Sequence, residues 1–349
     1  MTDGKFRIGF IGAGGIALTH MKYLDAMPDV EIVAAADISE RSLANAKAQY
    51  NIEHLYTDHK VMLREQATLD AISVCTPNGL HATNSIDASN AGKHVLVEKP
   101  MAMNAREAQQ MLEAARRAGK QLVVGFQSRF DTRTKLVRDQ IRQGNFGNIM
   151  YVRAQALRRR GIPNWGVFGR KELQGGGPMI DIGVHILETA HYMMGSPRPV
   201  SVTGSTWTYH GNKPSDVASV WPNWDYKTYT VEDLAVGMIR FDTGAMLTIE
   251  ASFVAHIERD VFNVQLMGER GGATWDETQI YLDQGGYMMN VRPGYVPQRD
   301  PFEYKMRHFV EVCQGTRENE SPGEHGLLVQ KMLDGVYASA EAGREVALE

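Results

Sequence analysis

Short apolar runs alternate with amphipathic stretches through the first third of the chain, in steps of about 25–30 residues. Residues 6–11, 31–36, 70–75, 95–97 and 121–124 are rich in Ile, Val and Ala and read as buried strands. Between them lie helical patterns: Leu18, Met21 and Leu24 share one face, a second helix runs from His81 to about Ala91 before Gly92, and a third covers 105–118 between the cap Asn104 and Gly119. This alternation predicts a doubly wound parallel sheet. A connecting helix is expected over 132–143, closed by Gly144. Beyond it the rhythm changes. Residues 149–157, 200–209, 233–241, 246–253, 261–267 and 279–282 read as strands joined by turns, with Asp242-Thr243-Gly244 a hairpin turn. Helices are expected at 301–314 and 324–342. The fold class is therefore α/β, with a first domain over 1–126 and, over 127–349, a second α/β domain whose open sheet is mostly antiparallel. Its last helix packs beside that sheet or returns to the first domain.

The first strand runs into Gly12-Ala13-Gly14-Gly15-Ile16-Ala17. In a Gly-x-Gly-x-x-Ala loop between strand and helix, the first glycine makes the tight turn. The second lets a diphosphate approach the backbone, and the alanine lets the helix lie close to the sheet. The helix start, with Gly15 and Ile16, then offers N–H groups to phosphate. Asp37 ends the second strand, 25 residues beyond Gly12. An acid there accepts hydrogen bonds from ribose hydroxyls and repels a 2′-phosphate, which favours NAD; the nearby Arg41 keeps NADP open. The same position also suits a helix cap ahead of Ser39-Glu40-Arg41.

Two consecutive strands end in polar clusters at one sheet edge, where doubly wound proteins hold ligands. The first is Thr76-Pro77-Asn78, with His81 opening the next helix. The second is Glu98-Lys99-Pro100, where proline stops the strand and leaves Lys99 directed at the crevice. A solvated Lys–Glu pair is the plainer reading of that stretch taken alone. Gln127 and Arg129, beyond the next strand, are added as cofactor and substrate candidates. In the second half, Gly175-Gly176-Gly177 precedes a helix carrying Asp181 and His185 at i and i+4, on one helical face. A glycine-rich loop delivering a carboxylate and an imidazole side by side suits a general acid/base pair. A capping Asp and a core His fit the same spacing. Arg158, in the run Arg158-Arg159-Arg160, and Trp165 are substrate candidates, or a basic turn and a packing Trp. Trp221 and Trp224 stand in a long loop and suit stacking on a sugar or burial at a subunit contact.

Composition narrows the classes. Among 349 residues, 43% are apolar and the net charge is −4, which suits an ordinary globular core and gives no reason to expect nucleic acid. Cys75 and Cys313 lack metal-ligand spacing and read as reduced, buried thiols. A strand begins within a few residues of the start, and no apolar run approaches the roughly 18 residues of a membrane span. A soluble cytoplasmic protein is expected, with no membrane partner.

With these motifs in order, the chain resembles the Gfo/Idh/MocA oxidoreductases, the family of glucose–fructose oxidoreductase and inositol dehydrogenase. The resemblance rests on Gly12-x-Gly14-x-x-Ala17, Thr76-Pro77-Asn78-x-x-His81, Glu98-Lys99-Pro100 and Gly175-Gly176-Gly177 followed by Asp181-x-x-x-His185. It covers essentially the whole chain. It implies a Rossmann domain and NAD(P)-dependent hydride transfer to or from a secondary alcohol of a sugar, glycoside or inositol. It implies Lys99, Asp181 and His185 as the catalytic group and no metal. Gly12, Gly14, Gly15, Ile16, Asp37, Thr76, Pro77, Asn78, His81, Glu98, Lys99 and Gln127 are the expected cofactor set. Lys99, Arg129, Arg158, Trp165, Asp181 and His185 are the expected substrate set. His185 or Lys99 takes the hydroxyl proton; the sequence leaves the choice open. Some relatives use NAD in redox-neutral glycoside cleavage, and others are NAD-binding regulators without the catalytic group. A homodimer or homotetramer built on the open sheet face is the family's usual assembly.

Overall fold

The computed structural model describes residues 4–348. They form two compact units, one running to Phe130 and including Arg299–Leu327, the other Asp131–Gln298 with the residues from Leu328 on. The boundary expected at 126/127 assigns Arg299–Leu327 to the second domain. Those residues instead count with the first unit, because the Pro301–Cys313 helix buries Met306, Phe309, Val310 and Val312 in its core. Phe309 meets Phe6 edge-on at 6.3 Å.

The first unit holds β1 (Phe6–Ile11), α1 (Gly15–Asp25), β2 (Val30–Ala36), α2 (Glu40–Tyr50), β3 (His54–Tyr56), α3 (His59–Glu65), β4 (Ala71–Val74), α4 (His81–Asn90), β5 (His94–Val97), α5 (Ala105–Ala118) and β6 (Leu122–Val124). The strands are all parallel in the order β3-β2-β1-β4-β5-β6, so the order reverses at β1/β4, the place where such sheets bind ligands. Every residue of β4 is buried, as expected of a strand covered on both faces. Helix α5 begins and ends as its sequence predicts. The Asn104 side chain accepts from Glu107 N–H at 3.0 Å, and Gly119 closes it at φ +62°.

The second unit holds α6 (Thr132–Arg142), β7 (Ile149–Leu157), α7 (Lys171–Gln174), α8 (Val184–Met193), β8 (Pro199–Trp207), β9 (Leu234–Phe241), β10 (Met246–Ser252), β11 (Val261–Gly268), β12 (Gly271–Thr274), β13 (Gln279–Gln284), β14 (Tyr287–Val291) and β15 (Val346–Ala347). The sheet order is β14-β13-β12-β11-β7-β10-β9-β8-β15. All pairings are antiparallel except β7 with β10, so the expected mostly antiparallel sheet is present with one parallel seam. Val152, Ala154, Leu247, Ile249 and Val264 alternate onto its buried face. The helix Gly323–Ala342 lies so close to that face that a Cβ on Gly237 would stand 2.7 Å from Val336. No helix among the described residues is long and apolar enough to cross a membrane.

Candidate active site

In the first unit, the loop after β1 is built for a dinucleotide. Gly12 has φ +92°, and a Cβ there would lie 2.7 Å from the Cys75 carbonyl, so only glycine fits. Above Gly14 and Gly15 the space is open, with nothing within 4 Å of a built Cβ. Gly14 caps α1 without a side-chain hydrogen bond and the first turn holds no acid. Its N–H groups and the helix dipole thus stand beside open space, an arrangement that suits an anion. Asp37 braces this loop: Oδ2 accepts from Ala13 N–H at 2.7 Å and Oδ1 from Ser39 N–H at 2.8 Å. The helix cap is Ser39, whose Oγ accepts from Ser42 N–H, and not Asp37. A carboxylate has about four acceptor positions, so Asp37 keeps capacity for ribose hydroxyls. Ile38 beside it is 93% exposed. These features fit NAD.

At the strand ends, His81 and Glu98, both in the expected cofactor set, brace the loops that carry them. His81 is buried with Nδ1 2.7 Å from the Pro100 carbonyl and Nε2 2.8 Å from the Thr76 carbonyl, so it ties the two loops to each other. Burial lowers its pKa, while the two carbonyls favour the protonated ring. Asn84, which sequence reasoning missed, donates to the Thr76 hydroxyl at 3.0 Å. Glu98 is also buried, and its Oε1 faces Lys305 Nζ at 2.7 Å and His20 Nε2 at 3.0 Å. Its Oε2 accepts from Lys99 N–H at 3.2 Å. Lys99 itself is partly exposed, ahead of a cis bond to Pro100, and Gln127 is partly exposed as well. Arg129 corrects a substrate expectation. It is 0% exposed, donates to the Glu320 carbonyl at 2.9 Å and covers the Phe126 ring. A guanidinium so enclosed is core, not a substrate ligand.

In the second unit, Gly175-Gly176-Gly177 leads into a π-helical turn, Met179–Gly183, continued by α8. The simple i, i+4 face expected for Asp181 and His185 is therefore modified, since a π turn pairs i with i+5. The wider turn accompanies tight packing, because a Cβ on Gly183 would lie 3.0 Å from Ala251. Asp181 is buried and His185 partly exposed. The loop is held by Glu232, another residue missed in sequence. Its Oε2 accepts from Gly177 N–H at 2.9 Å, and its Oε1 accepts from Met179 N–H at 3.2 Å and from Tyr337 at 2.9 Å. Burial raises its pKa, with these donors opposing.

Arg158 stands 3.9 Å from Asp181 Oδ2 and donates to the Gly161 carbonyl at 2.9 Å. Burial lowers its pKa and Asp181 opposes. Its guanidinium covers the Trp221 ring at 4.9 Å, and Trp221 meets Trp165 edge-on at 4.7 Å. Trp165 is 49% exposed, whereas Trp224 is buried and donates to the Gly211 carbonyl. Asp181, Arg158, Trp221 and Trp165 thus form one continuous run of contacts from a buried carboxylate to a half-exposed aromatic ring. Among the described residues no cluster of three or more His, Cys, Asp or Glu is placed to hold a metal ion. Both thiols are free, and burial pushes that of Cys75 up to about 12.

Residues 6–126 match the oxidoreductase family with an NAD-binding Rossmann fold, and residues 134–274 match the GFO/IDH/MocA C-terminal domain. The D-glucoside 3-dehydrogenase of Escherichia coli K12 is 38% identical over 351 aligned positions, covering 100% of this chain and 99% of that protein. The chain belongs to the Gfo/Idh/MocA oxidoreductase family. Among other relatives in it, the myo-inositol 2-dehydrogenase of Thermotoga maritima is 27% identical, with 98% of each chain covered. Levoglucosan dehydrogenase, solved with NADH and levoglucosan, shares the fold with a TM-score of 0.83 at 23% identity, covering 99% of each chain. The chain is an oxidoreductase of this family with an NAD-binding Rossmann domain.

Proposed function

We propose that this protein oxidises the C3 hydroxyl of a D-glucoside with NAD. The observation that carries the reading is end-to-end similarity to a D-glucoside 3-dehydrogenase in a chain whose glycine loop leaves open space above Gly14 and Gly15. The first turn of α1 and the Gly14–Gly15 backbone hold the diphosphate, Asp37 the adenosine ribose, and Ile38 lies against adenine. When bound, NAD supplies the hydride acceptor. The chain's own residues handle the proton and the charge. His185 takes the hydroxyl proton, as an imidazole does near neutral pH. The Lys99 ammonium stabilises the negative charge gathering on that oxygen. Asp181, set by Arg158, orients a neighbouring hydroxyl. The Trp165–Trp221 pair offers an aromatic surface to the sugar or its aglycone.

The test is purified protein with methyl β-D-glucoside and NAD. A keto-glucoside formed with one equivalent of NADH is the expected result, with NADP much the weaker cofactor. Turnover of inositols but not glucosides would overturn the substrate assignment. Free glucose without NADH would replace the dehydrogenase by a redox-neutral glycosidase.

A further inference from the structure

Lys305 is 0% exposed, on the Pro301–Cys313 helix, some 200 residues beyond the Glu98-Lys99-Pro100 loop. A buried ammonium persists only with a well-placed partner. That partner is Glu98 Oε1 at 2.7 Å, and His20 Nε2 lies 3.0 Å from each of them. The surroundings are shaped for this group. Gly125 makes room for the carboxylate, since a Cβ there would be 2.6 Å from Glu98 Oε1, and the Phe302 ring lies 4.6 Å from Nζ. His20 Nδ1 is tied in turn to Ser73 Oγ at 3.0 Å, on β4. With Oε1 fixed by a cation, the other oxygen, Oε2, accepts the main-chain N–H of Lys99.

We infer that Lys305 is a positioning residue for Lys99, acting through Glu98. The ammonium keeps Glu98 ionised in an apolar setting. An ionised carboxylate accepts a stronger hydrogen bond from the Lys99 N–H than a protonated one does, so the charge of Lys305 sets how firmly the Lys99 backbone is held. The inference rests on Lys99 taking part in the proposed reaction.

The test compares Lys305→Met, and Lys305→Met/Glu98→Gln as a variant that buries no unpaired charge, with the intact protein. Without added NAD, amide exchange at Lys99 should speed up about tenfold while amides of the distant strands β2 and β3 keep their rates. With methyl β-D-glucoside, kcat should fall about 10- to 100-fold, with NAD affinity within about twofold of the original. In a Lys99→Ala background the same substitutions should cost less than about twofold. An unchanged Lys99 amide, or an equal loss of kcat in both backgrounds, would overturn the inference while leaving the role of Lys99 intact. If Lys99→Ala turns over normally, the role of Lys99 fails and the inference falls with it. If methyl β-D-glucoside is not oxidised at all, the proposed substrate fails and the amide exchange alone decides.

Discussion

Glu98 and Glu232 are both buried carboxylates set behind a segment that carries a proposed catalytic group, yet they are stabilised in opposite ways. Burial alone would raise Glu98, but Lys305 and His20 overcome it and hold the carboxyl well below the usual range. Glu232 receives neutral donors, two main-chain N–H groups and the Tyr337 phenol, and burial leaves it raised. The difference follows from what each braces. Glu98 anchors one N–H beside a strand end, where no aligned dipoles help it. Glu232 sits at the start of a helical segment, where two N–H groups already point outward and the dipole favours an anion. A helix start can hold a buried acid without a cation; a strand end needs one.

The sharpest way to break this comparison is to remove the cation. Lys305→Met leaves Glu98 buried beside His20 but without its cation and should cost about 3–5 kcal/mol of unfolding free energy. Glu232→Gln keeps the shape but turns an NH2 toward an N–H donor, and should cost about 1–3 kcal/mol. Urea denaturation of both variants checks the ranking. Equal losses would mean that charge is not what separates the two sites.

The pH dependence gives a second contrast, with opposite signs. Glu98 is lowered in the fold, so its stabilisation is present above the unfolded carboxyl pKa of about 4.3 and is lost as pH falls through the folded value. His20, pushed down to about 4 by burial and then by Lys305, acts in the same direction, and stability declines from about pH 6.5 downward as the unfolded imidazole takes protons. Glu232 is raised, so its contribution is full below about pH 4.3 and is lost as pH rises through the folded value. Glu98→Gln should therefore flatten the acid limb of the stability profile, and Glu232→Gln should remove a decline on the neutral side. Urea midpoints across a pH series measure both slopes.

The glycine loops sharpen the comparison at smaller scale. Gly14→Ala meets nothing in the protein and should leave the melting temperature unchanged while weakening NAD binding about tenfold, read by fluorescence titration. Gly177→Ala would put a Cβ 2.2 Å from the Glu232 carbonyl oxygen, and should lower the melting temperature instead. The smallest effect is expected at Trp165, whose replacement by Ala should raise the KM for aryl glucosides a few-fold, on the order of 1 kcal/mol, without moving stability.

Several elements were readable from the chain because their signals are local. The parallel strands β1, β2, β4, β5 and β6 show as continuous apolar runs, and α5 announces itself through Asn104 and Gly119. The short β3 and α3, the glycine-led β12 and the exposed β14 carry little apolar periodicity, and none was anticipated. The site divides in the same way. The Gly12–Ala17 loop could be read because its glycines answer a steric demand close in sequence. Arg129 could not, because its enclosure depends on the Glu320 carbonyl, nearly 200 residues away.

The sequence by itself determined the doubly wound sheet, the dinucleotide loop and the kinship of Glu98-Lys99-Pro100 and Asp181-x-x-x-His185 with the oxidoreductase motifs, since each is written in side-chain pattern and spacing. Tertiary structure alone decided which polar groups are buried braces and which stay partly exposed. Lys305 reads as an ordinary helix lysine, and Glu98 and His81 as crevice residues, until the fold removes their water. Burial then favours a partner for each of these groups, and for Lys305 and Glu98 the partners come from segments that no local pattern connects.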